Sequence, residues 1–151
     1  MLAQFLYYST ACIAYKSSGN LDVLASARRH NIHNQITGFL FRTEDHFVQL
    51  LEGHHDVAVE TMGRIRRDVR HTDMVVLPVM LTKQRSFSSW LMGYADAVNP
   101  KAFSPILGPE QDNFSLEDKR AHFIRLTRPY ISPDQRRPIA ANWGQFYDLP
   151  G

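Results

Sequence analysis

An α+β fold of the split β-α-β, or ferredoxin-like, kind is predicted by three observations. Apolar segments of period two and of helical period follow one another in the order β-α-β-β-α-β-β up to about residue 97. Short polar connections separate them. Beyond residue 98 the chain is rich in proline (Pro100, Pro105, Pro109, Pro129, Pro133, Pro138 and Pro150) around one amphipathic stretch. One sheet with two helices on one face leaves its other face bare, and that stretch is the element available to cover it. The expected division is a domain over 1–97, with a fifth strand added to the basic unit, and a helical cap and tail over 98–151.

Residues 3–10 are aromatic-rich and alternate Phe5, Tyr7 and Ser9 on one face with Leu6, Tyr8 and Thr10 on the other, which predicts a strand. Ser17-Ser-Gly-Asn20 reads as a turn. Asn20 then caps a helix to about His30, with Asp22 in its first turn and Arg28, Arg29 and His30 in its last, as the dipole prefers. Two apolar runs, 35–42 and 46–52, joined by Arg42-Thr-Glu-Asp45, read as a hairpin. Asp56 is the expected cap of a second helix carrying Ala58, Met62, Ile65 and Val69 at helical spacing. Residues 74–81 predict a β-branched strand in which Pro78 calls for an edge or a bulge. The fifth strand is expected over 90–96, with Trp90, Met92 and Tyr94 on one face. Ser115-Leu-Glu-Asp118 opens the C-terminal helix, whose Phe123, Ile124 and Leu126 form the covering stripe.

Composition narrows the function. The chain has 151 residues, and its net charge of +2 is too small to predict nucleic acid or an anionic membrane as partner. No apolar run is long enough to span a bilayer, and the start lacks a charged segment before its apolar stretch, so a cytoplasmic protein is expected. The single cysteine, Cys12, excludes a disulfide framework. The histidines, including the pairs His30/His33 and His54/His55, lack companions for a metal set, and no metal is expected. No phosphate-cradling glycine loop, nucleophile elbow or HExxH occurs. Thr37-Gly-Phe-Leu-Phe41 only faintly suggests a base-stacking strand, lacking its leading basic residue.

More telling are polar groups at apolar positions. Gln49 shares a strand face with Phe47 and Leu51, and a buried amide left unpaired costs about 1–3 kcal/mol, so it needs both a donor and an acceptor. Taken singly, Tyr8 reads as a core tyrosine, Asn31 as a helix C-cap, and Arg70 and His71 as residues closing the second helix.

Together these residues resemble a known family. Tyr8-Ser9, Asn31-x-x-Asn34-x-Ile36-Thr-Gly38, Phe47-x-Gln49-x-Leu51-Glu-Gly53, Asp68-x-Arg70-His71 and Arg85-x-Phe87-x-x-Trp90-x-Met92 are similar, in order and spacing over about residues 1–97, to the BLUF family of blue-light sensors. The resemblance implies a noncovalent flavin between the two helices, normally FAD, with FMN or riboflavin as alternatives. It implies that Tyr8 is the light-driven electron donor and that Gln49 bridges it to the flavin. Asn31, with His30 beside it, would hold the ring's polar edge, Arg70 and His71 its other polar edge or the ribityl region, Val23 and Ile65 its apolar faces, and Trp90 and Met92 would relay the signal. Tyr7 departs from the family's usual aliphatic residue and would be a second donor, though alternation points it away from Tyr8's face. Ala27 departs from a small hydroxyl. The length matches short, stand-alone members, which implies a photoreceptor rather than an enzyme, signalling to another protein and forming a homo-oligomer. The alternatives are a flavin-dependent oxidoreductase, and a ligand-binding or RNA-binding module that would purify colourless.

Overall fold

The computed structural model describes residues 1–87, 92–96 and 98–131. Its first part runs β1 (Leu2–Ala11), α1 (Ser18–Asn34), β2 (Thr37–Arg42), β3 (His46–His54), α2 (His55–Arg66), β4 (His71–Val76), β5 (Met80–Thr82) and β6 (Gly93–Ala95). The sheet order is β4-β1-β3-β2-β6, with β5 continuing the β4 edge along β1. β1 and β2 both lie antiparallel to β3 between them, which is the split β-α-β arrangement predicted from the pattern. β6 joins β2 in parallel, with Gly93 opposite Phe39. A Cβ on Gly93 would lie 2.3 Å from the Phe39 ring, so this position needs glycine for the strand to dock.

The expected strand over 74–81 is two strands. Leu77 still donates its N–H to the Leu6 carbonyl at 2.9 Å, but Pro78 has no N–H to give, and pairing resumes only at Met80. α1 also differs at both ends. Ser17 occupies the N-cap position, while Asn20 lies inside the helix, buried, donating to the carbonyls of Ala14 and Ser17. The helix runs on to Asn34 and closes at Gln35, which takes a left-handed conformation (φ 52°) and returns its N–H to the Asn31 carbonyl. Arg28 is consequently a mid-helix residue and not part of the last turn. α2 begins at His55 with Asp56 in its first turn, and it ends at Arg66. Arg70 therefore lies in the connection to β4 and His71 opens that strand, so neither closes α2.

The sheet divides two cores. On the α1/α2 face pack Ala3, Tyr7, Leu24, Leu40, Phe47, Leu51 and Met62. The other face carries Leu6, Phe39, Phe41, Val48 and Leu50, and the C-terminal segment covers it. The predicted helix forms as α4 (Leu116–Thr127), opened by a capping box in which Ser115 and Asp118 bond each other's backbone N–H. Phe123 is fully buried against Phe41, with Ile124 and Leu126 beside it. A one-turn helix, α3 (Ser104–Leu107), and the 3-10 turn before it add the buried Phe103 and Ile106 to the same cover. These short elements escaped the sequence pattern because one turn shows no periodicity.

Candidate functional site

The site lies on the α1/α2 face of the sheet. Residues from six elements and the α2–β4 connection line a cleft that opens to solvent. Its walls are apolar: Val23 and Ala27 from α1, Ile65 from α2, Leu40 and Phe47 from the sheet. Such walls, with polar groups confined to one end and the rim, suit a flat, partly polar ligand.

At the floor, Gln49 obtains both partners its burial requires. Its Oε1 accepts a short hydrogen bond from the Tyr7 hydroxyl, and its Nε2 donates to Met92 Sδ at 3.0 Å. Tyr7 and Gln49 are directly opposite in the β1–β3 register, so their side chains share a face. Here the structure corrects the sequence expectation. Tyr8 stands on the reverse face, packed among the core under α4, and its hydroxyl donates at 3.4 Å to Gln111. The phenol in contact with Gln49 is Tyr7. Burial, reinforced by Asp68, pushes the Tyr7 hydroxyl far above the usual tyrosine range, so it stays protonated.

The rim is polar and tightly tied. Arg70 forms a bidentate pair with Asp68, Nη2 to Oδ2 at 2.6 Å and Nε to Oδ1 at 2.9 Å; those bonds hold the Asp68 carboxyl below the usual range. His71 Nε2 lies 2.6 Å from the Ile65 carbonyl, which can only accept. That nitrogen therefore carries a proton, and in neutral His71 the Nδ1, 2.7 Å from the Ser9 hydroxyl, is the acceptor. The His71 ring stands edge-on to Tyr7. Its two nitrogens are thus occupied within the protein, although the ring itself lines the cleft.

Arg64, which the sequence reading did not single out, is a cleft residue. Its Nη2 donates to the Ser26 carbonyl at 3.3 Å, while its Nε is buried with no partner in the protein. A buried N–H at the edge of an open cleft is a place for a ligand acceptor. Arg64 could have been found by its position one residue before Ile65, the apolar wall on the same helix.

The other expected contacts fall outside the lining. His30 turns to α2, its Nε2 3.1 Å from the Thr61 hydroxyl, and so joins the two helices. Asn31 is buried on the sheet-facing stripe of α1 and is not among the residues lining the cleft. Val23, Gln49, Ile65, Arg70 and His71 do line it; Met92 reaches it through Gln49, and Trp90 lies outside the described residues.

The family model BLUF, described as sensors of blue-light using FAD, matches residues 2–93. The photoactivated adenylate cyclase subunit beta of Euglena gracilis is 34% identical over 85 residues, 56% of this chain and 10% of that protein. The corresponding subunit of Euglena longa is 33% identical over 85 residues, again 56% and 10%. The chain thus spans about a tenth of the length of these curated relatives. Among solved structures, the dark state of BlrB, a BLUF protein, superposes with a TM-score of 0.70 at 25% identity, covering 86% of this chain and 97% of that one. The ground state of BlsA does so at 0.64 and 25%, covering 96% and 98%.

Proposed function

The chain belongs to the BLUF family, sensors of blue light using FAD, and on that premise we propose that FAD sits in the α1–α2 cleft and that Tyr7 and Gln49 convert its excitation into a hydrogen-bond change. One observation carries the assignment: a buried phenol, an amide and a thioether in series at the cleft floor, Tyr7 to Gln49 to Met92. The residues fit the cofactor, since Val23 and Ile65 offer apolar walls and the partnerless Arg64 Nε waits at the edge. FMN or riboflavin satisfies the same walls, and loading decides among them.

Flavin, when bound, supplies absorption of blue light and an excited state that takes up an electron. Tyr7 is the donor placed to give one. A phenol that has lost an electron becomes a strong acid, and its proton passes along the existing bond to Gln49 Oε1. When the charge returns, Gln49 can be left with its donor and acceptor ends exchanged, by rotation or by tautomerisation. Met92 makes that exchange consequential, because a thioether sulfur accepts hydrogen bonds but cannot donate them. Where rotation turns the amide oxygen toward Met92 it has no bond to make, so the contact between β3 and Met92, the residue before β6, is lost. β6 and the cover formed by α4 are then the output surface, read by a downstream protein or by a second copy of the chain. The chain itself turns over no substrate in this scheme.

The test is an absorption spectrum of the FAD-loaded protein in the dark, under blue light, and during dark recovery. A flavin band that shifts slightly red and returns without reductant is expected, and Gln49→Leu is expected to keep the flavin and lose the shift. A protein that stays colourless with added FAD overturns the reading. One that binds flavin and merely bleaches is an oxidoreductase instead.

A further inference from the structure

The sheet-facing stripe of α1 is unusual in being mostly polar: Asn20, Leu24, Arg28 and Asn31 recur at intervals of four, four and three and are all buried. Burying a guanidinium is costly unless it is hydrogen-bonded, so Arg28, 9% exposed, should have a specific purpose there. Its Nε donates to the main-chain carbonyl of Met92 at 3.0 Å. Met92 is also the residue whose sulfur receives Gln49 Nε2, and the next residue, Gly93, opens β6 against β2. One backbone position is therefore gripped from the cleft wall through Arg28, while its side chain receives the switching amide.

The consequence follows from the weakness of sulfur as an acceptor. Met92 is fully buried and unbranched, with several rotatable bonds, so its Sδ stays in reach of Gln49 only while its backbone is fixed. We propose that Arg28 is a positioning residue: by holding the Met92 carbonyl it keeps the sulfur where Gln49 must return in the dark, and it thereby sets the dark-recovery rate. The proposal rests on the photoreceptor reading above, but the clasp itself can be tested without light.

Three variants of the full FAD-loaded chain separate the contributions. In Arg28→Gln the amide Nε2 stands as many bonds from Cα as the arginine Nε, so the N–H is kept and the charge removed. Arg28→Met fills the chain as far as the Nε position with a methyl and has no donor. Arg28→Lys keeps charge and length but puts a methylene where the Nε–H stands, and it carries the test should the methionine variant not fold. Two readouts are taken: the rate of dark return of the red-shifted band, and amide hydrogen exchange over residues 93–95 in the dark. Arg28→Met and Arg28→Lys are expected to slow the return about tenfold, equivalent to about 1.4 kcal/mol, and to speed exchange at 93–95. Arg28→Gln should stay within about twofold of the parent on both, a rescue that loss of packing alone would not produce. Parent-like recovery and exchange in both variants that lack a donor at the Nε position overturn the proposal. Should the parent show no reversible shift, the photoreceptor reading fails and dark exchange decides the clasp: faster exchange in Arg28→Met and Arg28→Lys alone supports it, equal exchange overturns it.

Discussion

Tyr7 and Tyr8 are chemically identical neighbours that the pleat of β1 sends to opposite faces. Tyr7 meets Gln49 beneath the cleft; Tyr8 meets Gln111 beneath the C-terminal cover. Both lie in aromatic surroundings in the sequence, where the family resemblance alone implied a phenol beside Gln49 and assigned it to Tyr8. Which tyrosine it is depends on the β1–β3 register, because only residues directly opposite each other share a face at hydrogen-bonding distance. Tyr7→Phe is therefore expected to retain flavin and abolish the reversible red shift, whereas Tyr8→Phe leaves it in place. A pair of dark and illuminated spectra checks this, and an intact shift in Tyr7→Phe would return the donor role to Tyr8.

At the scale of elements, the cleft depends on how α1 and α2 are held apart and together. His30 on α1 bonds Thr61 on α2, whose hydroxyl in turn donates to the Val57 carbonyl at 2.8 Å, leaving its oxygen to accept from His30. Burial, with Arg64 adding to it, lowers the His30 pKa from the usual 6.5. The folded state thus prefers the neutral ring. As pH falls through 6.5 the unfolded chain takes up a proton before the folded one does, so this contribution is complete above 6.5 and is lost as pH drops toward the folded value. Urea-unfolding midpoints should fall between about pH 7.5 and about pH 5.5, one unit either side of that value. His30→Gln should lessen the fall, and equal slopes in the two proteins would remove His30 from the account. The sequence pattern placed His30 in the last turn of a shorter helix. The final turn of α1 instead extends to Asn34, because the Gln35 turn keeps the backbone bonds going to Asn31 and beyond.

Across the whole molecule, the sheet isolates the photochemical side from the covered side, and a polar cluster ties the cover to the sheet at one end of the covered face. Glu52, fully buried, accepts from Gln4 Nε2, Thr37 Oγ1 and the backbone N–H groups of Ser86 and Phe87, while Arg120 of α4 donates to Gln4 Oε1 at 2.6 Å. The cover is thereby bonded to the strand that carries Tyr7. Phe123, wedged against Phe41 and Phe87, supplies its apolar anchor. Phe123→Ala is expected to cost about 3–5 kcal/mol while leaving the flavin spectrum and its red shift unchanged, since no residue of the cleft touches that core face. Denaturant titration and dark–light spectra of the same variant test both halves, and a lost shift at retained flavin would show that the two faces are not independent.

The split β-α-β order of the first elements, the capping box at Ser115 and the need of Gln49 for two partners were all determined by the sequence alone. Each rests on local periodicity, on a short-range capping pattern or on the fixed cost of a buried amide. What only the tertiary structure decided is who meets whom: Tyr7 and not Tyr8 at Gln49, Arg64 at the cleft edge, His30 turned to Thr61, and Arg28 at the Met92 carbonyl 64 residues away. These depend on strand register and on the packing of helices over the sheet. A one-residue slip in register reverses every side chain of a strand while leaving its local pattern unchanged, so no local pattern could have distinguished them.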